Sequence, residues 1–203
     1  MTHAHQAILE HYVTRNICHP DDSNILNIAV GCDGTWMTRG HKSHVGAAFI
    51  IEAYTGIVVD FEVLCNYCPT CRLNKPHKCH KNFEGKSGAM EKEAAVRLWS
   101  RSTNFNFRYT TFIGDGDSSA YDAVCQMNNK RGPYDNVAIV KEECVNHVNK
   151  HMGTRLRKMR NDVATFKQNK SGKKKSSLGG INMLTETVIG KLTNYYGQAI
   201  RDM

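Results

Sequence analysis

A chain of 203 residues with 40% hydrophobic and 23% charged residues can bury one sizeable core, which excludes a disordered or low-complexity protein. No stretch approaches the roughly 18 consecutive apolar residues of a membrane span, and the opening MTHAHQAILEHYV lacks the basic-then-apolar order of a secretory signal; an intracellular protein away from membranes is expected. The net charge of +8 is local, because ten Lys and Arg and a single acid, Asp162, fall between Lys150 and Lys175, which leaves the remainder near neutral. A cationic surface of that kind suits a polyanion, the alternative being a solvated face.

In chain order, residues 1–24 are weakly patterned and read as a loosely packed leader. Ile25 to Val30 is a β-compatible run ending in the turn-like Gly31-Cys32-Asp33-Gly34. His44–Ala53 and Ile57–Leu64 follow as two further strands around Tyr54-Thr55-Gly56, giving an antiparallel meander. Ser87 is placed to cap a helix reaching Trp99, with Met90, Ala94, Ala95 and Leu98 on one face. Arg108–Ile113 is a strand running into Gly114-Asp115-Gly116-Asp117, and a short helix starts near Ser118. Val137–Val140 reads as a brief buried strand, and Val145 to about Arg160 as a basic helix. Residues 167–180 (KQNKSGKKKSSLGG) have linker composition. A last helix is expected over Leu184–Ile200, weakened by Gly190 and Gly197. A meander followed by alternating helix and strand implies an α/β fold with a mixed sheet flanked by helices.

Asp33 and Asp115 each follow an expected strand and precede a glycine. If those strands are neighbours, the two carboxylates lie close together, an arrangement that a cation between them would relieve. Mg²⁺ or Mn²⁺ suits such oxygen ligands, and a pair of ions can serve phosphodiester chemistry. Both Asp-Gly pairs could instead be ordinary turns, and Asp117 could be a ligand, a supporting group or a helix cap.

The eight cysteines of an intracellular chain are better read as ligands or core residues than as disulfides. Cys68-x2-Cys71-x5-His77-x-Cys79 supplies four zinc-type ligands within a 65–82 insertion, with Cys65 and His80 as spares. Reduced, unliganded cysteines are the alternative. Cys18, Cys32 and Cys125 read as small buried residues. Lys150, Arg155, Arg157, Lys158 and Arg160 form the arginine-rich part of the basic segment and are the candidate DNA contacts.

At this point the residues carry a resemblance. The run DGTWMTRGHKSHVGAAFIIEAYTGIVVDFEVL, then NFEGKSGAME, YTTFIGDGDSSAY, ECVNHVNKHMGTRLRKM and LTETVIGKLTNYYGQAIR together resemble Mutator-like transposase domains over roughly residues 25–201. The resemblance implies an RNase H-like core, in keeping with the element order, that carries a three-acid site. Two Mg²⁺ or Mn²⁺ ions there would cut and join DNA. It also implies a structural zinc, DNA ends and target as partners, assembly of copies into a homo-oligomer, and a nuclear location. Asp33 matches the first acid and Asp115 the second. Glu186 is the candidate third acid, with a position beyond Met203 as its rival. Cys144 and His147 match the family's Cys-x-x-His motif, either as ligands or as residues packed under the site. A catalytically degenerate DNA-binding protein and an RNase H-like nuclease that does not transpose are the alternative functions.

Overall fold

Alternating apolar residues produce the sheet. In the computed structural model, which describes residues 3–17, 24–38, 43–73, 75–114, 119–171 and 183–201 (side chains of 163–171 excepted), β1 (Leu26–Trp36), β2 (Val45–Glu52) and β3 (Val58–Cys65) form the meander. β4 (Phe107–Gly114) pairs parallel with β1, and β5 (Val140–Glu143) completes a five-stranded mixed sheet of order β3-β2-β1-β4-β5. Side chains of a strand alternate between faces; Leu26, Ile28, Val30, Ala48, Ile50 and Leu64 are accordingly buried on one side. In β4 the register slips opposite Ile28/Ala29, so that burial passes from Phe107 and Tyr109 to Phe112. A bulge shifts which residues face the core.

The buried face is covered by α2 (Met90–Arg101), whose Met90, Ala94, Ala95, Leu98 and Trp99 form the expected stripe. Trp99 stacks on Phe112 at 5.1 Å and donates its indole N–H to the Tyr109 carbonyl at 3.1 Å. Two arginines of α2 reach β3: Arg101 forks onto Asp60 at 2.8 and 3.0 Å and also meets Glu62, which Arg97 contacts at 3.2 Å. Ser87 does not cap α2. Residues 87–89 form a tight 3-10 turn first, and the helix begins at Met90 with Ala89 before it and no side-chain cap.

Four further expectations are corrected. Residues 3–14 are a helix, α1 (His3–Thr14), and Ile8 and Tyr12 are buried in the core with His5 against Phe107; three inward residues at His5, Ile8 and Tyr12 are a pattern too sparse to stand out in sequence. β1 does not turn at Asp33-Gly34 but continues to Trp36, because β2 pairs with it from Val30 to Trp36, Asp33 opposite Phe49. β5 lies later than expected and is largely exposed, Val140 included. The basic helix is longer: α5 (Val145–Ser171) runs into the segment of linker composition, whose residues 172–180 lie outside the described ones. The expected short helix is α3 (Ser119–Cys125), followed by the single turn α4 (Met127–Lys130).

The chain divides into two units, 1–142 and 143–203. The second unit is α5 packed on α6 (Glu186–Arg201). Gly153 and Gly197 let the two helices approach: a Cβ at Gly197 would lie 2.6 Å from Asn149 Nδ2, and one at Gly153 3.0 Å from Thr193 Oγ1. A glycine that costs helix propensity is thus a packing position. No helix among the described residues is long and apolar enough to cross a membrane.

Candidate functional site

The Cys/His segment leaves the sheet after β3 and returns to it. Its neck is closed by backbone: Asn82 and Phe83 N–H groups donate to the Cys65 carbonyl at 3.0 and 3.1 Å. The Asn82 side chain accepts from the Cys65 N–H and donates to the Val63 carbonyl, both at 2.8 Å. Asn82 was missed in the sequence, where a lone Asn before Phe carries no signal. Among its described residues the loop holds a tight turn at Pro69–Leu73, the stacking of Tyr67 on His44 at 4.5 Å with Arg72 over the Tyr67 ring, and Asn66 bonded to His44 and to the Gly85 carbonyl, all near the surface. With no core of its own, it needs another constraint.

Cys68, Cys71, His77 and Cys79 supply one. Their ligand atoms all lie within 4.8 Å of one another. Cys68 Sγ is 3.3 Å from His77 Nε2, Cys71 Sγ 3.5 Å from the same nitrogen, and Cys71 and Cys79 sulfurs are 3.4 Å apart. Ligands on a tetrahedral zinc with bonds of about 2.3 Å stand about 3.7 Å apart, so this Cys3His set fits a zinc ion with little adjustment. His77 Nδ1 lies 2.9 Å from the Lys75 carbonyl, which fixes the ring with Nε2 toward the sulfurs. The backbone N–H of Cys71, with that of Thr70 and the His77 ring, pulls the Cys68 thiol down to about 6, the thiolate being the ligand form. Sharing a proton with Cys79 pushes Cys71 up to about 11, and the Lys75 carbonyl raises His77 to about 9; metal entry displaces those protons. Of the spares, Cys65 is turned to the Tyr67 carbonyl at 3.1 Å, and neither it nor His80 joins the group.

Asp33 projects from β1 as an exposed side chain on the face away from Leu26, Ile28 and Val30. Its neighbour Cys32 points the other way, where burial, with the charges of Glu91 and Asp33, pushes the thiol up to about 12. On the β4 side, the last described pair is Gly31 with Ile113. Asp115 and Asp117 lie outside the described residues, as does Cys18.

In the second unit, Lys150, Arg155, Arg157 and Lys158 are exposed on α5, and Arg160 is half-buried. Glu186, the first residue of α6, does not stand alone: Arg157 Nε and Nη2 both lie 2.6 Å from its Oε1, and Arg160 Nη1 lies 3.3 Å from Oε2. The Arg157 guanidinium chiefly, with Arg160, holds the carboxyl below its ordinary value. Cys144 opens α5, its carbonyl accepting the His147 and Val148 N–H groups at 2.9 and 3.1 Å. Among the described residues, no metal-sized group includes Cys144 or His147.

Comparison with known proteins adds one positive finding. The family profile described as Mutator-like transposase matches residues 3–203, essentially the whole chain. No curated protein and no solved structure matches.

Proposed function

The chain belongs to the Mutator-like transposase family, and from that membership we propose that it is a transposase core that cuts and joins DNA phosphodiesters in the nucleus at a carboxylate site built on Asp33 and Asp115. The register of β1 against β4 carries this reading. Gly31 pairs with Ile113, and each acid follows its member of that pair by two residues. Asp33 and Asp115 are thus equally spaced in sequence from the last described pair of the ladder, the spacing that two carboxylates sharing one cation need. Strand order β3-β2-β1-β4-β5, with an antiparallel meander and a parallel β4, supports the RNase H-like form of the fold.

Paired carboxylates need a cation to offset their repulsion, and Asp33 and Asp115 would hold Mg²⁺ or Mn²⁺. Ions held there would supply Lewis-acid stabilisation for the attacking and departing oxygens of a phosphodiester. Asp33 stays on a strand paired with β2 as far as Trp36, so its carboxylate is held before substrate arrives. Glu186 is the candidate third acid, and to serve it would have to leave Arg157 and Arg160. The exposed basic residues of α5 would take the DNA backbone. Cys68, Cys71, His77 and Cys79 would hold a structural zinc.

One observation favours a second reading, DNA binding without chemistry: the Glu186 carboxylate is engaged by two arginines. Purified protein incubated with duplex DNA separates the readings. Nicking or strand transfer that requires Mg²⁺ or Mn²⁺, and that Asp33→Asn abolishes while DNA binding persists, supports the transposase. Binding with no cleavage by the wild-type chain supports the second reading.

A further inference from the structure

We propose that Arg157 and Arg160 form a binding site for one DNA backbone phosphodiester, and that the Glu186 carboxylate fills this site until DNA displaces it. This rests on the reading of α5 as the DNA-contacting helix.

The geometry of the pair carries the inference. A carboxylate and a phosphodiester offer guanidinium groups the same object, two anionic oxygens on one central atom, and arginine forks accept either. Arg157 and Arg160 stand three residues apart on α5, so they share a face and converge on one anion, each taking a different oxygen of Glu186. Glu186 is the first residue of the 16-residue α6, where the helix dipole favours negative charge of any origin. The site is therefore arranged for an anion by two arginines and a helix start together.

The occupant is exchangeable. The Glu186 side chain is 58% exposed and that of Arg157 48%, and ion pairs so open to water contribute little and are screened by salt. Lys150, Arg155 and Lys158 are exposed on the same helix; a polyanion drawn to them would bring a phosphate to Arg157 and Arg160 at high local concentration. The exchange would return Glu186 to solvent. No covalent step is involved: one anion replaces another, and the arginines stay charged throughout.

Equilibrium binding of the full chain to a labelled duplex, measured against salt concentration, tests the site. Glu186→Gln removes the competing charge and keeps the size. It is expected to tighten binding roughly three- to tenfold near 0.1 M salt and to steepen the salt dependence by about one unit, as for one added phosphate contact. Binding and slope equal to wild type would overturn the proposal. Should Glu186→Gln lose helicity, Glu186→Asp decides: its shorter reach keeps the charge but loosens the clamp, so tighter binding supports the site and unchanged binding overturns it. Inorganic phosphate added at constant ionic strength is expected to leave the gain intact; its loss would assign the site to free phosphate and overturn the DNA form. The underlying reading fails separately. If Arg157→Gln with Arg160→Gln leaves DNA affinity and salt slope untouched while the protein stays folded, α5 is not the DNA-contacting helix, whatever Glu186 does.

Discussion

The imidazole Nδ1 of His77 lies 2.9 Å from the carbonyl oxygen of Lys75, two residues before it. That contact turns Nε2 toward Cys68 and Cys71, so the ring is oriented as a ligand by its own backbone. The four ligands are confined to a loop whose neck is already closed on Cys65, and this divides local from global effects of the metal.

Metal analysis of the purified protein is therefore expected to find about one zinc per chain, as a four-ligand site implies. Cys68→Ser or chelation should open residues 66–81 to protease, while the sheet, anchored independently through Asn82, keeps most of its stability. Zinc-free protein with the loop as resistant as before would remove the metal from the account.

Asn82 itself joins the loop to β3 through three described contacts, counting its backbone N–H. Asn82→Ala should cost about 0.5–1.5 kcal/mol by removing the side-chain bonds to the Cys65 N–H and Val63 carbonyl. Denaturant unfolding of zinc-loaded protein checks this; a cost near zero would mean that water replaces the side chain.

The buried Glu52 accepts from Tyr12 Oη at 2.9 Å, from the Tyr54 and Thr55 N–H groups at 2.9 and 2.7 Å, and from Thr55 Oγ1 at 2.6 Å. Tyr12→Phe removes one of these donors and should cost about 1 kcal/mol, whereas Glu52→Ala strands several and should cost at least about 3 kcal/mol. Unfolding curves for the two variants give the ratio. Equal costs would show that the Tyr54 and Thr55 contacts to Glu52 add nothing beyond the Tyr12 hydroxyl.

Arg101 carries the largest charged anchor of α2, onto an Asp60 whose side chain is 8% exposed. Arg101→Lys keeps the charge but cannot fork onto both carboxylate oxygens, and it should destabilise by about 1–2 kcal/mol. A change within about 0.5 kcal/mol, the range of ordinary surface substitutions, would place this network among inconsequential ion pairs.

Much of this was legible where the signal is local. Strand alternation located β1 to β4, the stripe Met90, Ala94, Ala95, Leu98 located α2, and Cys-x-x-Cys with His-x-Cys named the four residues that come together. What escaped depends on partners distant in sequence. The Asp33-Gly34 pair reads as a turn until β2 pairs across it. α1 reads as a leader because its burial rests on Ile8, Tyr12 and the remote carboxylate of Glu52. Gly197 reads as a helix breaker until Asn149 of α5 is found against it. Nor could sequence show that Glu186 meets Arg157 and Arg160, 29 and 26 residues away.

The shared cation site of Asp33 and Asp115 is tested most directly by Mn²⁺ binding to zinc-loaded protein, followed by electron paramagnetic resonance. Wild-type protein is expected to bind Mn²⁺ saturably. Asp33→Asn and Asp115→Asn should each lose that binding to the same degree with the fold intact, and Asp117→Asn should retain it. Mn²⁺ binding as in wild type after either of the first two changes, or its loss only in Asp117→Asn, would contradict the pairing of Asp33 with Asp115.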